Sequence, residues 1–192
     1  IGTTNRGIGP AYTDKVARTG IRVTDLLDQE RLSGKVKENL LFVNQIMTKI
    51  YGSPPLSADE ITDQYLGFAE KIKKYISETE IYLGQAVKEN KNIILEGAQG
   101  ALLDLDIGTY PYVTSSNTTA GGAATGSGIG PSKIDKVIGI VKAYTTRVGE
   151  GPLPTELPEA EGNALRERGH EFGATTGRAR RCGWFDAVVV KF

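Results

Sequence analysis

Leu32, Val36, Leu40, Val43, Met47 and Ile50 recur at steps of three and four residues, the spacing that lines up one face of an α-helix. The periodicity predicts a helix over this stretch, stopped by Gly52-Ser53-Pro54-Pro55. Ser57 with Glu60 has capping-box spacing, and Ile61, Tyr65, Phe68, Ile72 and Ile76 follow as a second amphipathic stripe. Ser77 with Glu80 repeats the signal before a third helix running to about Lys88. The apolar members of these stripes, Met47 and the aromatics included, are expected in a core.

From Asn92 the pattern changes. Ile93-Ile94-Leu95 and Val137-Ile138-Gly139-Ile140-Val141 are short unbroken apolar runs, the signature of strands buried on both faces. Each leads directly into a polar segment: Glu96-Gly97-Ala98-Gln99-Gly100 after the first, Lys142-Ala143-Tyr144-Thr145-Thr146-Arg147 after the second. Helices alternating with such strands predict an α/β fold, a largely parallel central sheet flanked by helices. Ligands of these folds lie beyond the carboxyl ends of the strands, where both polar segments would fall. The β-branched run Val188-Val189-Val190 suits a strand, but Asp186 just ahead of it is a good N-cap, and the balance favours a helix start. No internal repeat and no linker divides the chain.

Composition narrows the function. Lys plus Arg balance Asp plus Glu at 23 each, so no global field favours nucleic acid or an anionic membrane, and any anion site must be local. A single cysteine, Cys182, and a single histidine, His170, exclude an internal disulfide and argue against a Cys/His zinc site. A reducing compartment, the cytoplasm, is expected, because no apolar run is long enough to span a bilayer and the N-terminus lacks a signal-peptide pattern. Ile1 is not a start methionine and the C-terminus stops within an apolar run, so both ends are expected to be cut.

Four Gly/Thr/Ser-rich segments, residues 2–10, 96–100, 109–119 and 173–183, carry hydroxyls and exposed amides suited to phosphate oxygens, although each also suits a solvated turn. The last packs Arg178, Arg180 and Arg181 behind Thr175, Thr176 and Gly177, and arginine forks pair with carboxylate or phosphate through two parallel hydrogen bonds. Residues 126–133 superficially suggest a P-loop but lack its gap and its Gly-Lys-Ser/Thr ending. His170 has no Ser-His-Asp company and reads as an exposed structural residue. Asp104 and Asp106 invite a metal reading, without an evident third ligand. DNA or RNA binding through the arginines is disfavoured by the lack of a wider basic stripe.

These segments together resemble the adenylosuccinate synthetase family. Gly7-Ile8-Gly9-Pro10-Ala11-Tyr12-Thr13-Asp14-Lys15-Val16-Ala17-Arg18 fits the family signature Gly-Ile-Gly/Arg-Pro-x-Tyr-x-x-Lys-x-x-Arg, and residues 96–100, 108–111, 114–122, 142–148 and 174–184 match in order. The resemblance implies a fold like that of the P-loop-containing nucleoside triphosphate hydrolases, incomplete here. Residues 1–192 would be the central part of one domain, with a helical insertion at about 24–90. The family's N-terminal nucleotide loop and C-terminal guanine-recognition part would lie outside.

The implied activity is a ligase reaction of purine biosynthesis, the first committed step from inosine monophosphate (IMP) to AMP. GTP gives its γ-phosphoryl to the purine 6-oxygen of IMP, and the amine of L-aspartate then displaces phosphate to form adenylosuccinate. By resemblance, Thr4 and Thr114 would bind the IMP phosphate, Arg18 would reach it in the partner subunit of a homodimer, and Gln99 would sit at the purine 6-position. Ala174, Thr175, Thr176, Gly177, Arg178, Ala179 and Arg180 would form the aspartate loop, with Arg178 also touching IMP and Arg180 shared with the GTP side. Lys15, the signature lysine, is a catalytic candidate whose alternative is an interface or structural role. Magnesium would be a cofactor, with ligands outside this chain. A non-catalytic nucleotide-binding or dimerisation module is the alternative reading of the fragment.

Overall fold

In the computed structural model, which describes residues 2–192, the first helix, α1, covers Ile8–Ala17 and so takes in Lys15 of the signature segment. It ends where Arg18 turns left-handed (φ 66°), letting the amides of Thr19 and Gly20 close onto the Asp14 carbonyl at 3.0 and 3.1 Å. The described residues group into two units, Gly9–Thr79 and a second made of residues 2–8 with Glu80–Phe192.

The first unit is helical. Asp28 starts α2 (Gln29–Lys49) by accepting from the Arg31 amide, and Ser57 starts α3 (Ala58–Ile72) by accepting from Glu60, as the capping spacing predicts. Leu32, Val36 and Leu40 are buried against Leu26, Ala58, Ile61 and Leu66. Beside them the buried Asp25 carboxylate accepts from the Arg22 amide at 2.7 Å and from Lys35 Nζ at 2.6 Å. The core is shorter than the stripes suggest. Val43 and Ile50 are exposed, Met47 is half-buried, and Tyr65 and Phe68 meet edge to face at 5.5 Å while remaining exposed. Ile76 lies past a 3-10 turn that closes α3. Periodicity marks which face of a helix avoids water, but burial needs a second surface, and α2 and α3 supply one to each other only along part of their length.

The second unit contains α4 (Thr79–Lys88), α5 (Ala120–Ser127), α6 (Glu159–Gly169) and α7 (Ala187–Lys191), with one two-stranded sheet. Asp186 caps α7 by accepting from the Val189 amide at 3.0 Å, so the valine run begins a helix. Strands β1 (Tyr144–Val148) and β2 (Arg180–Trp184) are antiparallel, with Tyr144 opposite Trp184, Thr146 opposite Cys182 and Val148 opposite Arg180. α6 is tied to β2 through Arg166, whose Nε donates to the Arg180 carbonyl at 2.7 Å. Cys182 is buried, and its carbonyl accepts from the Leu157 amide at 2.9 Å.

The two apolar runs expected as buried strands join no ladder among the described residues, and they are largely bare: Ile94 is 92% and Ile140 96% exposed. A strand is defined by its partner's hydrogen bonds, which these segments lack here. Conversely, residues 180–184, expected inside a loop, are a strand because β1 supplies that partner. Among the described residues the expected parallel sheet is not formed, consistent with an incomplete α/β fold.

Candidate functional site

The segment that follows α6 folds back as a hairpin. Phe172 bridges Ala179, the Gly173 amide donates to the Arg178 carbonyl at 2.8 Å, and the Gly177 amide donates to the Gly173 carbonyl at 2.7 Å. Gly177 takes φ 65°, a conformation open to glycine without strain. The expected aspartate loop is thus the hairpin tip, with Ala174, Thr175, Thr176 and Gly177 exposed and Ala179 and Arg180 on the returning arm.

The arginines at this hairpin are not equivalent. Arg181 grips Glu156 with Nε and Nη2, and its Nη1 donates to the carbonyls of Gly149 and Gly151 at 3.2 and 2.9 Å. Arg180 Nη1 donates to Glu171 Oε2 at 2.6 Å. Arg178 has no carboxylate partner among the described residues. Its guanidinium lies along bare backbone, where a methyl on Gly2 would stand 2.8 Å from Nη1 and one on Gly149 3.2 Å from Nη2. Glycine at these two places lets the fork approach the main chain. Among the described residues Arg178 is the one of the three with no carboxylate partner, so its whole hydrogen-bonding edge is open, whereas Arg180 commits one corner to Glu171.

Glu171 anchors the root of the hairpin. The residue is 3% exposed, and its Oε1 accepts from Lys142 Nζ at 2.9 Å and from the Tyr144 hydroxyl at 2.6 Å. Burial pushes this carboxyl upward, but the hydrogen bonds from Tyr144, Lys142 and Arg180 outweigh it and bring the pKa down to about 2. The same bond raises the Tyr144 phenol above its ordinary value.

A second frame holds the 114–119 segment. The buried Asp104 carboxylate accepts from the amides of Asp106 (2.9 Å), Ile107 (3.3 Å) and Thr118 (2.7 Å) and from Asn117 Nδ2 (3.1 Å), and these bonds depress its pKa to about 2. Asn117 also donates to Asp106, so the acidic pair latches the loop. Thr114 is half-buried, its amide donating to the Leu103 carbonyl at 2.8 Å. Gly122 opens α5 immediately beyond, at a point where any Cβ would collide with the Asn117 carbonyl. Gln99 is exposed with φ 64°, a left-handed backbone that is uncommon for a residue of its kind and costs strain.

Of the other candidates, Thr4 is exposed in the same unit as the hairpin, whereas Lys15 and Arg18 are exposed residues of the helical unit. Lys15 Nζ stands 5.7 Å from the Tyr12 ring. His170 is exposed and ends α6 in a left-handed conformation. No group of three metal-ligating His, Cys, Asp or Glu side chains occurs among the described residues. Nor is any described helix long and apolar enough to cross a membrane. Sequence reading missed Glu171, Glu156 and Arg147 as partners. Their bonds reach residues 9 to 38 positions away, and no local spacing announces them.

The profile of the adenylosuccinate synthetase family matches residues 1–192. Adenylosuccinate synthetases of Desulfitobacterium hafniense and Thermobifida fusca are 55% and 59% identical over 192 residues, the whole of this chain but 45% of theirs. A solved structure of fully ligated adenylosuccinate synthetase from Plasmodium falciparum superposes with a TM-score of 0.88 at 41% identity, covering 96% of this chain and 43% of that one.

Proposed function

The chain belongs to the adenylosuccinate synthetase family, and from that premise we propose that it supplies the IMP- and aspartate-binding part of a GTP-driven ligase that forms adenylosuccinate. The chain spans less than half the length of the curated relatives it matches, 45% in each of the two cited. The observation that carries the reading is Arg178, a guanidinium held at the hairpin among glycines with no carboxylate partner among the described residues. An unspent fork of this kind suits a phosphate or carboxylate ligand.

In this reading Thr4 and Thr114 hold the IMP phosphate and Gln99 donates to the purine 6-oxygen as charge accumulates there. Residues 174–180 receive the aspartate carboxylates. Arg18 reaches the IMP phosphate of the partner subunit in a homodimer, and Lys15, the signature lysine, is a catalytic candidate. GTP, which would supply the transferred phosphoryl, shares Arg180 with aspartate, and magnesium, which would neutralise that phosphoryl, draws its ligands from outside this chain. Residues at about 24–90 form a helical insertion of the larger domain, and the enzyme works in the cytoplasm.

A second reading, a nucleotide-binding or dimerising piece without turnover, is favoured by the bare apolar segments at Ile94 and Ile140. The deciding experiment replaces the matched segment of the Desulfitobacterium relative with residues 1–192. Adenylosuccinate formation that requires GTP, IMP and aspartate together supports the ligase reading. A folded chimera without that activity sinks it.

A further inference from the structure

We propose that Glu171 is a positioning residue that holds Arg180 in the orientation needed to receive a dicarboxylic amino acid. This rests on the ligase reading above and adds to it a residue outside the family's loop. Arg180 is fixed twice: its amide donates to the Glu171 carbonyl at 2.9 Å, and its Nη1 donates to Glu171 Oε2 at 2.6 Å. The first bond sets the hairpin register and the second sets the side-chain rotamer. Only one corner of the guanidinium is thereby used, and the side chain remains 30% exposed, so the rest of the fork can face a ligand.

Glu171 could instead compete with a substrate carboxylate for Arg180, but its environment argues against release. The carboxylate side chain is 4% exposed and saturated by three donors, two of which, Lys142 and Tyr144, hold it in place from β1 and the residues before it. The cluster also sums to a positive charge, since Lys142 and Arg180 outnumber one carboxylate. A buried anion thus orients the arginine without cancelling the attraction for an incoming anion.

Glu171→Gln tests this. The amide NH2 would face groups that are themselves donors, while the side chain keeps its length. In the active chimera, KM for aspartate should rise roughly tenfold or more, with KM for IMP changed less than about threefold, because Arg178 is not held by Glu171. Glu171→Asp, which retains the charge on a shorter arm, should recover part of the loss. Glu156→Gln, which breaks the neighbouring clasp on Arg181, should leave KM for aspartate within about threefold. An unchanged or lowered KM for aspartate in Glu171→Gln overturns the proposal, as does an equal rise in Glu156→Gln. An inactive parent chimera would count against the ligase reading alone. In that event the side-chain NMR of the 192-residue chain still decides: Arg180 Nε must lose order in Glu171→Gln while Arg178 Nε does not, and an unaltered Arg180 refutes the hold.

Discussion

Arg147 Nη2 donates to the Tyr112 carbonyl at 2.7 Å and to Thr109 Oγ1 at 3.0 Å, tying β1 to a segment 35 to 38 residues earlier in the chain. Nε of the same guanidinium donates to the Glu150 carbonyl at 2.9 Å, and no carboxylate among the described residues pairs with it. A charge buried among neutral oxygens is costly unless every bond is made, and burial together with the nearby Arg181 lowers the Arg147 pKa accordingly. Arg147→Met should therefore lower stability by about 2–3 kcal/mol, since three acceptors lose their donor at once. Urea titration followed by Trp184 fluorescence reads this directly, and an unshifted midpoint would contradict it.

Arg178 and Arg181 should part company. Arg178→Ala removes no internal ion pair, so the urea midpoint should hold while IMP affinity drops by roughly one to two powers of ten. Arg181→Ala breaks the Glu156 clasp and two carbonyl bonds, so its main effect should be lost stability, on the order of 1–2 kcal/mol. Equal losses of affinity and stability in both variants would show that the two arginines do the same job.

Acid should loosen the second unit through two carboxylates. Glu171 falls from an ordinary 4.5 to about 2 in the folded chain, a depressed pKa. Its stabilisation is complete above pH ~4.5 and is lost as pH falls toward 2, amounting to about 3 kcal/mol across that window. Asp104, also near 2, titrates in the same direction. Stability measured from pH 6 to pH 2.5 should decline in the wild-type chain and decline less steeply in Glu171→Gln. Parallel curves would mean that Glu171 is not the group responsible.

Leu32 is the most buried side chain of the helical unit, 1% exposed between α2 and α3. Leu32→Ala should cost about 2–5 kcal/mol, the range for a core leucine whose cavity cannot collapse. Thermal unfolding followed by circular dichroism gives the value. A loss below about 1 kcal/mol would indicate that the α2–α3 contact carries little of the stability.

Local signals were legible in the chain and long-range ones were not. Ser57 and Asp186 announce the starts of α3 and α7 because capping is a matter between neighbours three residues apart. The apolar runs at 93–95 and 137–141 read as buried strands, yet they form none among the described residues, because a strand needs a partner that the run itself does not name. Tyr65 and Phe68 sit on an apolar stripe but stay exposed for the same reason. At the candidate site the arginine cluster stands out by composition, whereas its division into held and unheld members is set by Glu156 and Glu171, partners 25 and 9 residues distant. The left-handed Gln99 is another feature that only the fold reveals.

The most direct test is calorimetric titration of the 192-residue chain with IMP, with inosine as control and circular dichroism to verify folding. Binding of IMP without binding of inosine is the predicted result, because Thr4 and Thr114 are assigned to the phosphate. A folded chain that binds neither, or binds both equally, would contradict the assignment of the IMP site to these residues.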